Sequence, residues 1–89
     1  MQLTLDAARA LRDGGIDAMA ALNEMLIETL KHLPESQHAD MKRLTGRIMG
    51  SVVEDVINKA IMAFPQLNPD DETWAEVVIS KALERSARP

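Results

Sequence analysis

The sequence predicts an all-α fold: a small helical bundle with a short amino-terminal helix and three longer ones, completed by dimerisation. Three observations carry that expectation. The 89 residues are 46% hydrophobic but only 2% aromatic, and Ala, Leu, Met, Glu and Arg, all good helix formers, dominate the chain. The apolar residues recur at three- and four-residue spacing, the period of an amphipathic helix. A single domain of this size buries only about 60% of its unfolded surface. With no cysteine it has no disulfide to widen that margin, which directs attention to self-association.

Residues 4–13 form the first predicted helix, with Thr4 as its N-cap and Asp6 in the first turn, where the helix dipole favours negative charge. Ala7, Ala8, Ala10 and Leu11 supply a modest apolar side, and Asp6–Arg9 and Arg9–Asp13 stand at ion-pair spacing. Each glycine of Gly14-Gly15 costs about 1 kcal/mol relative to Ala inside a helix, so a break or sharp kink is expected there. The second helix, 16–33, carries Ile16, Met19, Leu22, Leu26, Ile27, Leu30 and Leu33 at helical spacing. Asn23 falls within that seam, where one polar residue can set the register of a helix pair or bond to nearby backbone or water.

After the Leu33-Pro34-Glu35-Ser36 turn, the third helix is expected over 36–63 with Ser36 as its cap. Its first half has a narrow stripe of Met41, Leu44 and Ile48. In its second half the rows Ile48-Val52-Val56-Ala60-Phe64 and Met49-Val53-Ile57-Ile61 lie side by side, covering about 220° of the circumference at uniform helical pitch. One neighbouring helix needs an apolar stripe of only about 100°. Two or more helices, or a second chain, are therefore expected to flank it. The last helix, 69–86, opens with Asn68 as cap, Pro69 at the first position and Asp70, Asp71 and Glu72 at the positive dipole end. Lys81, Arg85 and Arg88 lie toward its carboxyl end. Trp74, Ala75, Val77, Val78, Ile79, Ala82 and Leu83 again occupy more than half its circumference.

Charge and composition exclude several functions. A net charge of −4, from 10 basic and 14 acidic residues, disfavours a dedicated phosphate-backbone binder, though a local basic patch can persist. No apolar run approaches the roughly 18 residues of a membrane span, and Asp6, Arg9, Arg12 and Asp13 interrupt any leader-like apolar core. Without cysteine there is no thiolate metal site, and a reducing cytoplasmic setting is expected.

Glu35-Ser36-Gln37-His38 has the Glu-x-x-His spacing of di-iron helix bundles, but such a centre needs a second copy and two further inward carboxylates. His38 invites comparison with histidine phosphotransfer domains, whose exposed histidine is followed three residues later by Lys and then Gly. In His38-Ala39-Asp40-Met41-Lys42-Arg43 the lysine comes four residues later and no glycine follows it, a departure at the motif-defining positions. Gly46-Arg47-Ile48-Met49-Gly50 has the spacing that lets a partner backbone approach, and Gly50 could serve as the glycine of a helix-turn-helix. The recognition helix would then read Val52-Val53-Glu54-Asp55-Val56-Ile57, with nothing to reach base edges before Asn58. Acyl carrier proteins are also small, acidic and helical, but Gly50-Ser51-Val52 lacks their Asp-Ser-Leu attachment signature.

The expected function is a small non-catalytic protein–protein interaction module of regulatory, inhibitory or adaptor type. It would act as a homodimer toward an unidentified protein through apolar helix surfaces, with no catalytic residue, metal or cofactor. Val53, Ile57, Ile61, Phe64, Trp74, Val78 and Ile79 are the candidate interface residues. The alternative is a nucleic-acid-binding regulator using Lys42, Arg43 and Arg47, and a third reading is phosphotransfer at His38.

Overall fold

A computed structural model describes residues 1–87. Helix α1 spans Leu5–Leu30. Helices α2 (His38–Val52) and α3 (Asn58–Ala63) are joined without interruption by a π-helical turn at Val53–Ile57, so together they form one rod. Helix α4 covers Asp71–Ala87. Short 3₁₀ turns at Glu35–Gln37 and Pro65–Leu67 make the two connections. The described residues contain no strand, and no helix among them is long and apolar enough to cross a membrane.

The break expected at Gly14-Gly15 does not occur. The two predicted amino-terminal helices are one, capped as anticipated by Thr4, whose Oγ1 accepts from the Ala7 N–H at 3.1 Å. The helical cost of Gly15 is offset by the approach it permits. A Cβ there would lie 2.6 Å from Ile57 Cγ1 and 3.1 Å from Val56 Cγ1, so the rod can sit this close only over a glycine. Gly14 has open space around it and no such role. Helix α1 also ends at Leu30 rather than residue 33, with Lys31 as its C-cap.

Other local expectations shift by a residue or two. Ser36 lies in the 3₁₀ turn and makes no capping bond, so α2 starts at His38. Asp70, not Asn68, caps α4: its Oδ1 accepts from the Thr73 N–H at 2.7 Å and its carbonyl from the Trp74 N–H at 2.9 Å. Pro69 therefore stands before the helix. Asp6 pairs with Arg9 at 3.9 Å, but Asp13 turns to Arg12 at 2.9 Å instead of to Arg9. Arg12 also donates to the Leu67 carbonyl at 3.1 Å, tying the α3–α4 connection back to α1. Arg88 lies outside the described residues.

Helix α1 is the shared element: α2, the π turn and α3 pack along it, and α4 packs on it too. At one end Ala8, Ala60 and Leu67 form a buried cluster, with Leu3, Leu5, Leu11 and Phe64 against it. Ile16, Ile57 and Thr45 are the other buried side chains of size. The π turn brings this rod into phase. At about 100° per residue Ile57 would lie about 120° round from Thr45, yet both are buried, 3% exposed or less. A π turn advances less per residue than an α turn, which swings Ile57 and Ala60 back to the side of α2 that carries Thr45. The stripe expected on Met41, Leu44 and Ile48 shifts accordingly. Met41 is half-buried and Thr45 fully so, while Leu44 and Ile48 are each a little under half exposed.

The assembly is open. Its Cα radius of gyration is 14.9 Å, against about 12 Å for a compact domain of this length. Its accessible surface is 6294 Å², about 1,100 Å² more than the roughly 5,200 Å² expected of a compact chain of this mass.

Candidate interaction surface

The seven residues singled out from the sequence divide between the interior and the surface. Ile57 is buried against Gly15 of its own chain. Phe64 packs half-buried against the Ala8–Ala60–Leu67 cluster. Val53 and Ile61 are half-buried in and beyond the π turn. Trp74 and Val78 are half-buried on α4, together with Thr73, Val77 and Lys81, which defines the side of α4 turned toward α1. Ile79 alone is largely exposed, at 61%.

Leu83, part of the same apolar arc but not among the seven, is exposed to 65%. With it the surface acquires a shape. Ala75, Ile79, Ala82, Leu83 and Ser86 are all exposed and fall within about 100° of one another on the wheel. That is the width of stripe a helix normally buries against a neighbour. No residue of α4 is fully buried, so this helix has one half-covered side and one bare apolar side. Its cations are turned to its own chain: Arg85 holds both carboxylate oxygens of Asp17, and Lys81 donates to Glu84 at 3.3 Å. Glu72 and Glu76 border the bare stripe near its amino-terminal end.

Other exposed apolar side chains are scattered rather than aligned on one helix face, among them Met62 at 83% and Ile27 at 49%. Met25, Leu44 and Ile48 are each a little under half exposed on α1 and α2, and Met62 projects from α3 beside Glu54, Asp55 and Lys59. Gly46 and Gly50 are exposed with nothing near them, so their spacing brings no helix of this chain into close contact.

The polar candidates take ordinary structural positions. His38 Nε2 donates to the Leu33 carbonyl at 3.0 Å, closing the turn between α1 and α2. Arg43 pairs with Asp40 at 3.0 Å, while Lys42 and Arg47 are exposed on α2 about 140° apart. Helix α2 runs through Gly50 unbroken, so the turn of a helix-turn-helix is not formed there. Among the described residues no three His, Asp or Glu side chains converge in a way that could hold a metal ion. The Asp70 carboxyl is held below the ordinary carboxylate range, chiefly by the Thr73 backbone N–H it accepts.

Comparison with known proteins finds no family model, no curated protein and no solved structure that matches this chain. Functional inference therefore rests on the physical character of its surfaces.

Proposed function

We propose that this protein is a small non-catalytic protein–protein interaction module, regulatory, inhibitory or adaptor in type, that works as a homodimer through an apolar helix surface. The observation that carries this reading is the bare stripe of α4, with Ile79 and Leu83 more than 60% exposed, on a chain with about 1,100 Å² of surface beyond that of a compact monomer. Stable interfaces take about 800 Å² from each partner, so the excess is of the size a partner would cover. Soluble monomers rarely leave contiguous apolar patches bare without an interaction that uses them.

The interior supports the same reading. Among the described residues the fully buried apolar ones are Ala8, Ile16, Ile57, Ala60 and Leu67, two of them alanines, and a core this small gains from association. Light scattering or sedimentation across the micromolar range is expected to give twice the 9.8 kDa chain mass, falling toward the monomer on dilution. A mass that stays at 9.8 kDa at every concentration, with a cooperative melt, refutes the homodimer.

A further inference from the structure

We infer that the partner covering the α4 stripe is α4 of a second copy, crossing antiparallel about a two-fold axis between Ile79 and Ala82; this rests on the homodimer reading above. The order of side-chain sizes along the stripe is self-complementary. Ala75 and Ser86 stand four residues outside Ile79 and Ala82 respectively, so an antiparallel copy sets Ala75 over Ser86 and Ile79 over Ala82. Ile79 then meets the small Ala82, as facing helices interdigitate, and the small Ala75 and Ser86 let the outer turns approach closely. Leu83 falls beside Ile79 of the partner subunit, and each contact occurs twice, as a two-fold interface requires.

Charge selects the direction. Glu72 and Glu76 flank the amino-terminal part of the stripe, and Asp71 lies in the same turn as Glu72. A parallel pairing would stack these carboxylates on their own copies, a repulsive arrangement. The antiparallel pairing sends them to the partner's carboxyl-terminal turns, beside Ser86 and away from like charge, and it opposes the two helix dipoles. Lys81 and Arg85 are already engaged by Glu84 and Asp17, so the centre of the stripe brings no unpaired cation into the contact. Across the whole chain the accessible surface of 6294 Å² exceeds that of a compact one by about 1,100 Å², room for the roughly 800 Å² that each side of a stable interface takes, with the stripe as part of it.

The experiment uses the full chain, whose lack of cysteine makes single-cysteine cross-linking unambiguous. Ala75→Cys mixed with Ser86→Cys is expected to form a disulfide-linked heterodimer under mild oxidation, while each variant alone links poorly. Ile79→Glu and Leu83→Glu are each expected to return the mass to the 9.8 kDa monomer with far-ultraviolet circular dichroism unchanged, because both side chains are exposed in the single chain. Ile48→Glu, on α2, is expected to leave the dimer intact. A wild-type dimer that survives both Glu substitutions, or Ala75→Cys cross-linking efficiently to itself, overturns the antiparallel α4 pairing and leaves the homodimer standing. A wild-type chain that is monomeric throughout overturns both.

Discussion

The rod formed by α2, the π turn and α3 and the terminal helix α4 have similarly broad apolar arcs on a uniform helical wheel, yet those arcs meet opposite ends. In the rod, Ile57 and Ala60 are buried and Val52, Val53, Val56 and Ile61 are at least half covered, mostly against the single neighbour α1. The π turn makes this possible, because it rotates the lower half of the rod until both halves face α1. Helix α4 keeps an ordinary α pitch, rests on α1 with one side, and leaves Ile79 and Leu83 bare. In this chain a wide apolar arc stays partly bare where the helix keeps its pitch. Where the pitch changes, the same residues can serve one neighbour in succession along the axis.

Truncating one residue from each region separates the two outcomes. Ile57→Ala removes a side chain that is 3% exposed and is expected to cost about 2–5 kcal/mol in urea denaturation. Ile79→Ala, measured at a dilution where the chain is monomeric, should fall within about 0.5 kcal/mol of wild type. Equal losses at the two sites would mean that α4 buries its stripe within the chain after all.

The fit between α1 and the rod can be probed at the glycine pair. Gly15→Ala drives a methyl group into Ile57 and is expected to destabilise by about 1–3 kcal/mol, the usual cost of overpacking. Gly14→Ala meets open space and should stabilise by up to about 1 kcal/mol through helix propensity. Thermal or urea melts of the two variants should move in opposite directions; the same sign for both would show that close approach at Gly15 does not set the rod's position.

The smallest effect concerns the start of α4. Asp70 has its pKa lowered in the folded chain by the Thr73 N–H, so its capping contribution is fully present above the ordinary carboxylate pKa. It is lost as pH falls below that value and through the depressed one. Helix content followed by circular dichroism from neutral pH to about pH 2 should show a loss that Asp70→Asn reduces, since Asn caps comparably without titrating. An identical acid profile in the variant would place the loss at other carboxylates.

The helical class, the two interhelical turns and the Thr4 cap were legible because each depends on residues close in sequence. The Ser36 and Asn68 caps were misplaced because both helices start later: Gln37 precedes α2 with no capping side-chain bond, and Asp70 caps α4. Thr45 was not legible as a buried residue. Its position depends on which side of α2 meets α1, and its hydroxyl, fully enclosed, has no hydrogen-bond partner. At the candidate surface, Ile79 was legible by its place in the α4 arc. Ile57 and Phe64 shared that kind of signal but are taken up within the chain, and no periodicity separates the two outcomes.

Helix-forming composition, the Thr4 cap, charge distribution and the apolar content of each helix follow from residues close together in the chain. Long-range packing, in contrast, makes Gly14-Gly15 continue a helix, rephases the rod through a π turn, and leaves the uncovered stripe on α4. Those outcomes depend on distances between segments far apart in the chain. A glycine reads as a helix breaker until a neighbour comes within 2.6 Å of where its Cβ would stand, and an apolar arc reads as surplus until the helix beside it is known.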